Sequence, residues 1–259
     1  MEEIQTIFFR MFRIADMKEP FEELHYHLLK KLSHINAPFG LMGVDLNSLK
    51  MPHHEQQKPY VKYKHPSTPR VIQHYQYEHR GEDYGWSQSD SYFACIDKIF
   101  YEFKPDYKKV NFHDVIYTNF PQVIESFKPR VAEDYYADYA IYYEEGYRPG
   151  ESPTFDSNGF SISLVPAYND LRARGITPNG RNNIYTLSPA CYWDGDLCQT
   201  ALGYDREEVI RRLAGKVPDV RPLADGVYII FNDNPLLSFD DFLAIQHTFK
   251  PILGCNRQD

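Results

Sequence analysis

Both ends of the chain carry the same succession of elements, and this restricts the fold more than any other feature. Ile7 to Leu32 reads as a strand, a turn with Pro20 and a helix opening at Phe21-Glu-Glu-Leu24; Val227 to Leu253 reads as a strand, a turn with Pro235 and a helix opening at Phe239-Asp-Asp-Phe242. A strand must pair its backbone and cover its apolar side, so each end belongs to a sheet with a helix packed on it. The repetition fits a duplicated strand-helix unit, or two short units that recur by chance. The expected class is α+β: an antiparallel sheet with helices packed mainly on one face, forming a single domain over residues 1–259.

Ile4 to Ile14 is rich in β-branched and aromatic residues, as a long strand is. Phe21, Leu24, Leu28, Leu29 and Leu32 form the apolar stripe of an amphipathic helix. Between Ala37 and His79, prolines alternate with short Tyr and Val runs, which suits short strands and loops. The spacing of Tyr92, Phe93, Ile96, Ile99, Phe100 and Phe103 predicts a helix capped by Ser87 or Ser89, with Pro105 just past its end. A second helix is expected over Val115 to Phe127, kinked or split at Pro121. Gly159 to Val165 and Asn183 to Leu187 alternate as strands do.

Farther on, Asp205 caps a helix in which Glu208 completes a capping box, Arg211 and Arg212 face the negative end, and Gly215 stops it. Val227 to Phe231 is a buried strand, and Ser238 with Asp241 opens a last helix through Phe242, Ile245 and Phe249. The expected core is Phe8, Leu28, Phe93, Ile96, Leu164, Val209, Leu213, Ile229, Phe242 and Ile245.

Charge narrows the class of partner. Of 28 basic and 36 acidic side chains, residues 1–130 hold 17 of each, so residues 131–259, with 11 and 19, carry the whole net charge of −8. Phosphate binding needs clustered Lys and Arg, so an acidic chain argues against a nucleic-acid binder. No apolar run is long enough to span a bilayer, and the opening MEEIQTIFFRMFRIAD lacks the basic start of an export signal. Cys95, Cys191, Cys198 and Cys255 are scattered without a C-x-x-C pair, as buried thiols of a cytoplasmic protein are.

Chemistry-bearing motifs are sparse. His53, His54 and Glu55 are adjacent on a proline-flanked segment, where side chains diverge instead of converging on an ion. Asp194-Gly195-Asp196 suits a turn, since the rest of a calcium loop is missing. Neither a nucleophile elbow, a P-loop nor H-E-x-x-H occurs, so the expectation is no enzyme, no metal and no cofactor. Trp86 and Trp193 suit core anchors, Trp86 sitting where a ring can also be exposed.

The unusual segment lies between Val131 and Asp156, where Glu133, Asp134, Asp138, Glu144, Glu145, Glu151 and Asp156 face Arg148 alone and alternate with six tyrosines. Tyrosine offers contact area at low entropic cost, and carboxylates speed the encounter with a basic partner. Glu133, Asp134, Tyr135, Asp138, Tyr139, Glu144 and Glu145 are the expected partner-binding residues; the bland alternative has the tyrosines packed inward and the acids in water. A homodimer would hide strand edges and aromatic surface.

From the carboxyl-terminal third comes a resemblance. Asn183-Ile-Tyr-Thr-Leu187, Leu202-Gly203, Val209 to Leu213, Val217-Pro218, Asp225-Gly-Val-Tyr-Ile229 and Phe249-Lys-Pro-Ile-Leu253 follow one another as in a family of bacterial immunity proteins encoded beside type VI secretion toxins, nucleases among them. The resemblance covers roughly residues 159–255. It implies a cytoplasmic antidote that neutralises one cognate toxin by stoichiometric binding, a basic nuclease domain being the partner that an acidic, aromatic surface suits. A hydrolase with a nonlocal His/acid site and an adaptor of the secretion apparatus stay open as alternatives.

Overall fold

The computed structural model describes residues 6–14, 18, 20–48, 60–63, 65, 72–80, 96–104, 110–136, 139, 150, 154–155, 157, 161–162 and 182–255. Its strands are β1 (Ile7–Ile14), β2 (Tyr60–Tyr63), β3 (Ile72–Arg80), β4 (Ile96–Phe103), β5 (Val131–Tyr136), β6 (Thr154–Phe155), β7 (Ser161–Ile162), β8 (Ala190–Trp193), β9 (Asp219–Leu223) and β10 (Gly226–Ile230). Its helices are α1 (Phe21–Leu32), α2 (Phe112–Asp114), α3 (Phe120–Phe127), α4 (Gly195–Leu197), α5 (Arg206–Leu213) and α6 (Phe239–Leu253). Eight strands form one sheet in the order β2-β3-β4-β1-β5-β8-β10-β9, with every neighbouring pair antiparallel, while β6 and β7 pair apart from it. The fold is α+β with an antiparallel sheet, as the sequence leads one to expect.

Alternation along β1 assigns the two faces. Ile7, Phe9 and Met11 are fully buried, whereas Phe8, Arg10 and Phe12 are half-buried on the opposite side. Phe9 meets Phe39 and Phe120 at ring-centroid distances of 4.8 Å each, which seats α3 on its face. The opposite face carries Glu133, whose neighbour Ser188 follows the Leu187 backbone that Gln246 of α6 clasps through both its amide and its carbonyl. Helices therefore pack on one face along β1 and on the other toward β8 and β10, where the sequence leads one to expect them mainly on one face.

The strand order does not relate β1-α1 to β10-α6, but it has a correspondence of its own about β5. The succession β1-α1-β3-β4 fills the sheet in the order β1-β4-β3, and β8-α5-β9-β10 fills it as β8-β10-β9, with β5 between β1 and β8. A two-fold axis along β5 would preserve strand direction and exchange faces, matching the opposite placement of the two helix sets. Each half then leads into a helix: Asn111 caps α2 and Ser238 caps α6. The sequence pairing of β1 with β10 is thereby replaced by β1 with β8 and β4 with β10.

Three elements differ from expectation. Ile96 to Phe103 is strand β4, not helix: Ile99, Tyr101 and Phe103 point into the core while Lys98, Phe100 and Glu102 are half-buried on the other face. Residues 183–187 form no strand, although Ile184 to Leu187 are buried. Of Gly159 to Val165, Ser161–Ile162 is strand, and it belongs to the small second sheet instead of the main one. Leu28, Val209, Leu213, Ile229, Phe242 and Ile245 are core and Phe8 is half-buried; Phe93, Leu164 and the Ile96 side chain lie outside the described residues, as do Ser87 and Ser89.

Pro121 splits its helix as expected, and the split is a π turn over Val115–Asn119. The turn frees the Ile116 carbonyl and the proline, lacking an N–H, frees that of Tyr117. The sheet answers both: the Tyr228 hydroxyl donates to Ile116 O at 2.6 Å and Arg221 Nη2 donates to Tyr117 O at 2.8 Å.

In α5, Asp205 Oδ1 accepts from Glu208 N at 3.0 Å. Glu208 does not reach back to complete the capping box, because its carboxylate is held by Arg211 at 2.6 Å and Arg212 at 2.8 Å. Asp205→Ala should therefore cost about 1 kcal/mol, read as a lower denaturation midpoint with unchanged m-value.

Candidate functional site

The acidic tyrosine segment turns inward. All six residues of β5 are buried, because β5 is an interior strand between β1 and β8. Glu133 Oε1 accepts from Arg10 Nε at 2.5 Å and its Oε2 accepts from the Ser188 hydroxyl at 2.8 Å. The Arg10 guanidinium lies 4.4 Å from the Tyr135 ring centre, and Tyr135 packs on Phe8. Asp134 Oδ1 accepts from Ala190 N at 2.6 Å; burial pushes its carboxyl up to about 8, opposed by that amide and reinforced by the Glu133 charge. Tyr139 donates its hydroxyl to Leu237 O at 2.6 Å and stacks on Tyr136 and Phe242.

Glu133, Asp134, Tyr135 and Tyr139 thus cannot form the exposed strip that the sequence reading assigns to them. The reading treats acids as solvent-facing, whereas Arg10, Ser188 and the Ala190 amide, supplied by other strands and loops, satisfy them inside the sheet. Asp138, Glu144 and Glu145 lie outside the described residues.

The remaining candidates divide similarly. His53, His54, Glu55, Trp86 and Cys95 lie outside the described residues, and Trp193 is buried core. Asp194 caps α4, its Oδ1 accepting from Leu197 N at 2.6 Å, so Asp194-Gly195-Asp196 is the turn its sequence suggests. Among the described residues no group of three or more His, Cys, Asp or Glu is placed to hold a metal ion, and Cys191, Cys198 and Cys255 are free thiols. His65 is buried against the Phe39 carbonyl at 3.1 Å, and burial pushes it down to about 4, so it stands neutral in the core.

Surface carboxylates gather at both ends of the β8-β10-β9 half of the sheet. At one end Arg130 lies 3.7 Å from Asp194 and 3.8 Å from Asp196, Arg206 pairs with Glu207 at 2.8 Å, and the Tyr192 hydroxyl bonds Asp225. Cations thus answer much of the charge there. At the other end Arg221 is committed to Asp219, and no Lys or Arg occurs from Pro222 to Phe249. Exposed Asp233, Asp240 and Asp241 have no cation partner among the described residues.

Beside Asp233, Tyr117, set by the π turn, stacks on exposed His113 at 4.0 Å and donates to Asp233 Oδ2 at 3.2 Å. Leu236 stands 54% exposed in the same corner of the chain. Acids, aromatic rings and one bare leucine make this corner the candidate interface. Its sequence signal was the long cation-free stretch.

No protein-family model matches the sequence, and no curated protein matches it. Among solved structures, a Pseudomonas aeruginosa T6SS protein is similar with a TM-score of 0.49 and 9% identity, covering 96% of this chain and 74% of that one. No described helix is long and apolar enough to cross a membrane.

Proposed function

We propose that this chain is an immunity protein of a type VI secretion system, a cytoplasmic antidote that neutralises a basic toxin domain of the nuclease class by stoichiometric binding, without catalysis or cofactor. The observation that carries the reading is the set of exposed carboxylates Asp233, Asp240 and Asp241, in a stretch of chain free of Lys and Arg from Pro222 to Phe249. The sequence resemblance over roughly residues 159–255 supports the same reading. A nuclease groove is basic because it holds phosphates, and fixed carboxylates beside aromatic rings take the place of phosphates and bases.

The test is to co-express the chain with the product of the neighbouring gene. A one-to-one complex per protomer that protects cells from a basic toxin is the expected result. Asp233→Lys, Asp240→Lys and Asp241→Lys together should slow association by about tenfold or more at low salt, the difference shrinking as the Debye length falls to about 8 Å at physiological ionic strength. A neighbouring product that is harmless or does not bind, with hydrolytic activity in the purified chain, would overturn the proposal.

A further inference from the structure

The loop joining β10 to α6 combines two properties that rarely coincide: its backbone is tied down from several directions, yet it holds a large apolar side chain in water. Phe231 N and Asn232 N both donate to Pro189 O, at 2.7 and 3.2 Å. Asn232 Oδ1 accepts from Asn234 N at 2.8 Å, and Asn234 Oδ1 accepts from Leu236 N at 2.9 Å. Leu237 N donates to Asn234 O at 3.2 Å, and Pro235 fixes one further φ. Leu237 is itself buried, and Phe231 packs on Phe249 of α6 at 4.9 Å.

From the sheet side two hydroxyls reach up to the same loop. Tyr136 donates to Asn234 O and Tyr139 donates to Leu237 O, on the two sides of Leu236. Both tyrosines belong to the acidic segment whose composition suggested a docking surface, and they bear on that surface from beneath. A loop fixed before binding loses little conformational entropy on binding, and Leu236, 54% exposed, gains the transfer from water of the half still exposed.

We infer that the loop 231–238 is a preformed docking element in which Leu236 is the anchor, Tyr136 and Tyr139 are positioning residues, and the partner is a protein surface presenting an apolar pocket rimmed by Lys or Arg. The basic rim follows from charge: Asp233, Asp240 and Asp241 flank Leu236 along the chain, and no Lys or Arg occurs from Pro222 to Phe249. The stacked His113–Tyr117 pair, bonded to Asp233, extends the contact on one side. The inference rests on the proposed binding of a basic partner and adds to it which residues grip.

The probe is a catalytically inactive form of the neighbouring gene's product, bound to the full chain and followed by association and dissociation rates. Leu236→Asp should speed dissociation by about tenfold or more, as loss of an interface anchor does, with the thermal transition of the free chain unchanged because the side chain is exposed. Tyr136→Phe with Tyr139→Phe should speed amide exchange at Leu236 and Leu237 in the free chain and raise the dissociation rate severalfold. That second effect should vanish in the Leu236→Asp background, which a merely structural role for the tyrosines would not produce.

Dissociation of Leu236→Asp within about twofold of wild type would overturn the inference while leaving the proposed function standing. Rapid exchange at Leu236 and Leu237 in the wild-type chain would overturn it as well. Absence of any complex would overturn the immunity reading and the role of the loop together.

Discussion

Gly226→Ala should unfold the carboxyl-terminal half of the sheet or cost about 4 kcal/mol or more, a range that overpacking against core backbone can reach. Gly226 opens β10, the strand hydrogen-bonded to both β8 and β9. A Cβ there would lie 2.0 Å from the Trp193 carbonyl oxygen and 2.7 Å from the Asp194 Cα. Both are backbone atoms of β8 and its exit, so no side chain can swing aside; the strands would have to part. Separation would expose Trp193, Val227 and Ile229, all buried where the second helix layer packs.

Gly195→Ala is the control. Its Cβ would meet the Asp225 carbonyl oxygen at 3.2 Å, a contact that a shift of a few tenths of an ångström relieves, so its denaturation midpoint should stay near wild type. If Gly226→Ala proved as mild as Gly195→Ala, the pairing of Val227 with Trp193 would be wrong.

What the sequence makes legible is what local chemistry determines. β1, α1, α5 with its Asp205 cap, β10 and α6 with its Ser238 cap each have their punctuation and apolar pattern within a dozen or so residues. β4 was illegible for a definite reason. Ile96, Ile99, Phe100 and Phe103 keep three-and-four spacing but fall two on each face of a strand, so the local pattern favours a helix, and the arbiter is Tyr101, buried between Ile99 and Phe103. β8 has no alternation to read, since Ala190, Cys191, Tyr192 and Trp193 are buried on both faces.

The site failed to read for the complementary reason. Composition reports charge but not partners, and the groups that make Glu133 and Asp134 tolerable inside the sheet come from Arg10, Ser188 and Ala190, 55 to 123 residues away. The clamp on Leu236 is equally nonlocal, because Tyr136 and Tyr139 each reach a carbonyl 98 residues along the chain. The tyrosines of the acidic segment lie beneath the proposed docking loop, bonded to its carbonyls, and not on its surface.

Asp134 makes a second large effect measurable, a loss of stability as pH rises. Its carboxyl is buried beside Glu133 with the Ala190 amide as donor, and burial lifts it from 3.8 to about 8. Around it the Tyr136 and Tyr228 hydroxyls are pushed up by burial first and by the Asp134 charge second. A carboxyl raised in the folded state binds its proton more tightly there than in the unfolded chain. Its contribution is therefore fully present below pH 3.8 and is lost progressively as pH climbs through about 8, with a slope of roughly 1.4 kcal/mol per pH unit between those limits.

Asp134→Asn keeps an Oδ1 acceptor for the Ala190 amide and cannot ionise, so the stability of the variant relative to wild type should rise steadily from pH 5 to pH 8 and then level off. Comparing the two proteins cancels the other groups that titrate in the window, Asp194 raised to about 6 and Lys250 lowered to about 8. Denaturant midpoints at several pH values give the curve. A difference between variant and wild type that did not change with pH would mean that Asp134 does not hold its proton in the folded sheet, and that solvent or an additional donor reaches the carboxylate between β5 and β8.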